Sequence, residues 1–261
     1  MRRKFIAGNW KMFNGPKASY DFMTKFVSLI SSSKVITESI SSSKLEVAIF
    51  APAISLESCV RANVSSSVIL GAENMYWEKQ GAFTGEISAP MIKETGCTHV
   101  IIGHSERRHI FHETDSEVNK KVTAALAEGL TPVMCVGELL QDRENSKTFD
   151  VIATQVSEGI KGIDPLSVAD NIIIAYEPVW AIGTGKTASS EDAEEVCASI
   201  RKLVAQLCGC ACAEKIIILY GGSVKPENTA SIMSQANIDG VLVGGASLKV
   251  DSFMSIIESS L

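Results

Sequence analysis

A chain of 261 residues with 46% hydrophobic and 21% charged residues has the composition of a folded globular protein, which excludes the disordered and collagen-like classes. The formal net charge of -6 argues against a general affinity for nucleic acid, while leaving room for a local anion site built from backbone N–H groups and a lysine. Seven cysteines, an odd number, do not read as a disulfide framework, and no apolar run approaches the roughly 20 residues that cross a bilayer, so a cytoplasmic protein without a membrane partner is expected.

At the start of the chain, Arg2-Arg3-Lys4 has the charge of a signal-peptide n-region, but the apolar stretch behind it stops at Gly8-Asn9-Trp10-Lys11, too short for an h-region. Eight short apolar runs then recur along the chain: 5–7, 45–50, 68–71, 99–103, 132–136, 172–176, 216–220 and 240–244. Most are continuous rather than alternating, as strands covered on both faces are. Between them lie segments of helical periodicity with start signals. Thr114-Asp115-Ser116-Glu117 precedes 118–126, and Ser189-Ser190-Glu191-Asp192 opens a segment to Leu207 whose inner stripe is Val196, Ile200, Leu203 and Val204. Strands alternating with helices make βαβ units, and eight such units without a composition break predict an α/β fold: a closed (β/α)8 barrel, one domain over 1–261. The rival open sheet lacks its Gly-x-Gly-x-x-Gly fingerprint at the first βα turn. The triplets 31–33, 41–43 and 65–67, all serine, read as surface connectors between a helical segment and the next strand. Cys208-Gly209-Cys210-Ala211-Cys212 lacks the second pair or nearby histidine that four-coordinate zinc wants; it reads as a helix end and loop in small residues, and no metal is expected.

In such a barrel, site residues belong where strands end and βα loops begin. The first strand ends in Asn9-Trp10-Lys11, the fourth in His104-Ser105-Glu106 and the sixth in Glu177, so one face receives an amide, an ammonium, an imidazole and a carboxylate. Gly221-Gly222-Ser223 and Gly244-Gly245 follow the seventh and eighth strands, where N–H groups leading into helices attract anions. Taken singly, Asn9 reads more simply as a turn cap, Lys11 as a surface charge and the paired glycines as strand ends; their coincidence on one face is what points to a site. His104 is placed where a short helix begins, whose dipole disfavours imidazolium, whereas His99, His109 and His112 read as packing or surface residues. After Glu177 come Pro178, Val179, Trp180, Ala181, Ile182, Gly183, Thr184, Gly185, Lys186 and Thr187. Pro178 fixes φ at one hinge, and Gly183 and Gly185 can absorb backbone change at the other, so the stretch reads either as a catalytic base with a moving cover or as an ordinary βα loop.

The stretches 5–12, 102–108, 175–187, 220–224 and 242–248, in order and at family-like spacing, resemble the triosephosphate isomerase family across essentially the whole chain. The resemblance implies interconversion of dihydroxyacetone phosphate and glyceraldehyde 3-phosphate through an enediolate, with no cofactor. It implies Glu177 as base, His104 as neutral electrophile, Lys11 and Asn9 as electrostatic support and Glu106 as an auxiliary group. It further implies that the phosphate takes N–H groups from Gly183, Ser223, Gly244 and Gly245 under a lid formed by 178–187. Tyr176 and Trp180 would take part in the lid's exchange, with Glu138 resembling the residue that holds the open state. The long, partly aromatic stretch 74–86 resembles the family's interface loop, which implies a homodimer with Thr84 near the neighbour's Asn9 and Lys11. Two rivals differ in kind. Another phosphate-binding barrel enzyme would share the glycine loops without requiring Asn9, Lys11, His104 and Glu177 together; a retired barrel serving as a binding protein would tolerate loss of Glu177 or His104, and neither is lost.

Overall fold

The computed structural model describes residues 2–182 and 188–261. Its strands are β1 (Lys4–Asn9), β2 (Leu45–Ala51), β3 (Ile69–Ala72), β4 (His99–Ile102), β5 (Thr131–Val136), β6 (Ile173–Tyr176), β7 (Ile217–Tyr220) and β8 (Gly240–Val243). They pair in chain order, all parallel, and β8 returns to β1, with Phe5 opposite Gly240 and Gly8 opposite Val243, so the sheet closes on itself. The eight apolar runs of the sequence are these eight strands.

The runs look continuous because both faces of every strand are buried, yet the residues alternate in space. Phe5, Ala7, Phe50, Ile101, Val133, Cys135, Ala175 and Leu219 fill the barrel. Ile6, Ile49, Val100, Ile102, Ile174, Ile218 and Val241 face outward and pack beneath the surrounding helices. The predicted helix starts are present as capping boxes: Thr114 with Glu117, and Ser189 with Asp192. On the helix Ser190–Cys208 the buried stripe is Ala193, Val196, Cys197, Ile200 and Val204; Leu203 only borders the core.

Two connectors differ from the sequence reading. The serines 31–33 do not lead into a strand; Ser32 ends one helix, Pro16–Ser32, and a second helix, Lys34–Ser41, follows, anchored by the buried Ile36. Likewise the cysteine-rich stretch is not a loop but a break at Gly209 (φ 91°) followed by another helix, Cys210–Lys215, which buries Cys212 and Ala213. Both helices are short and are held by packing rather than propensity, which local patterning does not report. No described helix is long and apolar enough to cross a membrane.

Candidate active site

Parallel closure brings the C-terminal ends of all eight strands to one rim, and the predicted residues collect there. Asn9, the last residue of β1, is buried, and its Oδ1 accepts the Lys11 N–H at 3.1 Å. That bond closes a tight turn in which Lys11 adopts a left-handed φ of 55°. The Lys11 ammonium pairs with the Glu106 carboxylate above the mouth.

From β4 the chain passes Gly103 and reaches His104, which caps the helix Ser105–Ile110: its Nδ1 accepts the Glu106 N–H at 3.2 Å. An acceptor at Nδ1 leaves Nε2 as the protonated nitrogen of a neutral ring. Nε2 lies 3.0 Å from Oε1 of Glu177, the residue that follows β6. The other Glu177 oxygen accepts the Ser105 N–H at 3.0 Å. Behind Glu177 the wall is tight. A Cβ on Gly137 would stand 1.8 Å from the Glu177 carbonyl oxygen, and one on Gly221 would stand 2.9 Å from its Cγ. Glycine at both positions lets β5 and β7 approach the base.

Burial alone would raise the Glu177 carboxyl, but His104, the Ser105 N–H and Lys11 outweigh it and hold the group below the usual carboxylate range. For His104 burial and Lys11 disfavour the imidazolium, while the Glu177 carboxylate pulls the ring above its ordinary value. That pull opposes the neutral ring expected from the helix start. A second proton on His104 would have to sit on Nδ1, facing the Glu106 N–H, so we take the neutral Nε2–H tautomer as the resting form and attribute the upward pull to Glu177.

Across the mouth, Ser223, Gly244 and Gly245 line a cavity of about 500 Å³ with Asn9, Lys11, His104 and Glu177. A Cβ on Gly244 would touch Lys11 Cε at 3.5 Å, so this backbone passes close beside the lysine. Pro178 through Ile182 are described, with Val179–Ala181 forming a single 3-10 turn. Trp180 Nε1 donates to Glu138 Oε1 at 2.8 Å and the Tyr176 hydroxyl donates to the same oxygen at 3.2 Å. Gly183, Thr184, Gly185, Lys186 and Thr187 lie outside the described residues. Thr84 stands apart from the cluster, exposed on the loop after β3, where Tyr76 stacks against Trp77 and Phe83. His99 lies at the opposite end of its strand, buried against Phe5, and burial lowers it to about 4.

Sequence reasoning passed over one mouth residue. Glu73 directly follows β3, lines a second cavity of about 380 Å³ with Asn9, Lys11 and Glu106, and has a buried Oε1 without a hydrogen-bond partner among the described residues. Burial pushes it up to about 8, with Lys11 opposing and Glu106 adding to the rise. Reading the third strand end as the first, fourth and sixth were read would have found it.

Residues 4–260 match the family model described as triosephosphate isomerase. Among relatives, the triosephosphate isomerase of Alkaliphilus metalliredigens is 49% identical over 258 residues, covering 99% of this chain and all of the relative. That of Carboxydothermus hydrogenoformans is 48% identical over 261 residues with both chains fully covered, and that of Caldanaerobacter subterraneus subsp. tengcongensis is 47% identical over 258, covering 99% and 100%.

Proposed function

The chain belongs to the triosephosphate isomerase family and is an isomerase of triose phosphates, and on that premise we propose how its residues divide the reaction. Glu177 removes a proton from the carbon beside the substrate carbonyl and returns it to the neighbouring carbon. His104, neutral, donates its Nε2–H to the carbonyl oxygen as charge develops there; glutamate base and neutral histidine are the known pairing of this family rather than a deduction from distances. Lys11 and Asn9 stabilise the same oxyanion, and Glu106 fixes the lysine. No cofactor enters the scheme, because the proton leaves and returns through one carboxylate.

What supports this reading is the pairing of Glu177 with His104 at 3.0 Å in a cavity that Ser223, Gly244 and Gly245 also line. Glu177 is held ionised, as a base must be, and it has to leave the Ser105 N–H to reach a carbon acid. The phosphate takes its hydrogen bonds from those backbone N–H groups and from Gly183. The segment 178–187 covers it, and closure over the substrate is an established behaviour of the family. Glu138, holding Trp180 and Tyr176, favours the open arrangement.

A homodimer is the second part of the proposal. Met12 and Phe111, 94% and 65% exposed, stand with Gly85 and Glu86 around the second cavity, and exposed apolar groups around a groove invite a partner. Thr84 then approaches the neighbour's Asn9 and Lys11. The seven thiols, unpaired among the described residues, suit a cytoplasmic setting.

The deciding measurement couples glyceraldehyde 3-phosphate turnover to glycerophosphate dehydrogenase and NADH. Glu177→Gln should lose about 10²–10⁴-fold in kcat. An inactive wild type, or an unimpaired variant, overturns the assignment of roles.

A further inference from the structure

The helix Pro226–Met233 begins directly behind the turn that carries Ser223, and its third residue, Asn228, reaches back across that turn. Asn228 Oδ1 accepts the Lys225 N–H at 2.8 Å, and its Nδ2 donates to the Ser223 carbonyl at 2.9 Å. The partners fix which end of the amide is which, since one neighbour is an N–H and the other a carbonyl. A side chain at the third helical position that binds the N-cap N–H is half of a capping box, a task usually done by glutamate or glutamine. A carboxylate there can do the capping but cannot donate to Ser223.

We propose that Asn228 is a positioning residue for the phosphate: by holding the Ser223 carbonyl it fixes the Ser223 backbone, and with it the N–H that the reading above assigns to the phosphate. The inference rests on the reading above that Ser223 binds phosphate. Gly222, Ser223, Val224 and Lys225 all line the mouth cavity, so the turn that Asn228 spans is cavity wall. The same helix turn ties Lys225 a second time, through Thr229, whose buried hydroxyl donates to the Lys225 carbonyl at 2.7 Å. Lys225 thus has two side-chain anchors from the helix, in addition to the Asn228 and Thr229 backbone N–H groups that bond its carbonyl, whereas the Asn228 amide is what reaches Ser223 itself. Binding an anion through a backbone N–H needs that group oriented before the ligand arrives, and a free Ser223 would spend binding energy on being ordered.

Two substitutions separate positioning from capping. Asn228→Asp keeps the acceptor for Lys225 and places a negative charge where a helix start favours it. Asn228→Ala removes both bonds and adds no charge. The two share only the missing donor to Ser223. The probe is inorganic phosphate, followed by the Ser223 amide signal in nitrogen NMR, with thermal midpoints recorded alongside. Both variants should bind phosphate about five- to tenfold more weakly, although the midpoint falls only in Asn228→Ala. In turnover, kcat/KM for glyceraldehyde 3-phosphate should drop by the same factor in both, while that for unphosphorylated glyceraldehyde holds. Weakening confined to Asn228→Ala would mean a cap and nothing more; weakening confined to Asn228→Asp would mean charge repulsion; either overturns the proposal. So does a wild-type Ser223 amide that phosphate fails to shift, whether or not the protein isomerises triose phosphates. If phosphate does shift it and both variants weaken it, but wild-type turnover is absent, the catalytic reading falls and the role of Asn228 stands.

Discussion

Glu73 shows how one side chain at the mouth trades stability for place. A carboxyl raised to about 8 binds its proton more tightly folded than unfolded. Its contribution is therefore complete below the unfolded value near 4.5 and is lost as pH climbs through 8. The loss by pH 9 is on the order of 3 kcal/mol once its partial exposure is discounted. Glu73→Gln removes the titration, so its thermal midpoint should decline less than that of the wild type between pH 6 and pH 9; parallel declines would show that Glu73 does not titrate in this window. His104 offers the opposite sign test. Glu177 is what lifts the imidazole, against burial and Lys11. In Glu177→Gln most of the lift is gone, Glu106 supplying the rest, and the His104 titration followed by nitrogen NMR should move to lower pH. An unmoved titration would mean that the two groups, 3.0 Å apart, do not share a proton balance.

At the scale of elements, one of the tightest constraints is the seam where the barrel closes. A Cβ on Gly240 of β8 would lie 1.9 Å from the Phe5 carbonyl oxygen of β1, and backbone cannot step aside as a side-chain tip can. Gly240→Ala should therefore cost about 3 kcal/mol or more in urea unfolding. Gly15→Ala, at a helix N-cap with no atom within 4 Å of the added carbon, should cost less than about 1 kcal/mol. Equal effects would mean that the seam yields. This seam also marks what the sequence carries and what it does not. Runs such as 172–176 identify strands because burial on both faces demands apolar residues throughout, and strand order follows from repeated βαβ units. The strand-end rule then put Asn9, His104 and Glu177 on one rim. Nothing local in Gly240 says that it faces Phe5, or in Gly137 that it makes room for Glu177, since both needs arise from partners far away in the chain. The helix Lys34–Ser41 escaped for a related reason: Ile36 anchors it to the core, and serines surround it.

For the whole molecule, the question is what covers the exposed side of the mouth. Phe83, 39% exposed, packs on Tyr76 within the loop after β3, which also carries Thr84. Two copies meeting around a two-fold axis bury such a loop twice, so each change at the contact counts double. They must also overcome a combined charge of 2 × -6, or -12, a repulsion that salt near 0.15 M confines to about 8 Å. Phe83→Glu withdraws about 2 kcal/mol of apolar burial at each of two sites and adds a charge to each copy, weakening association by a factor of at least about 10³. For the proposed dimer, sedimentation should then show monomer at concentrations where the wild type associates, and the monomer's kcat should fall if the partner's loop reaches Asn9 and Lys11 as proposed. Lower salt should widen the gap between variant and wild type, because the added charges meet a longer-ranged repulsion. A Phe83→Glu protein that sediments as a dimer, or a monomer with undiminished turnover, would remove the partner from the account of this site.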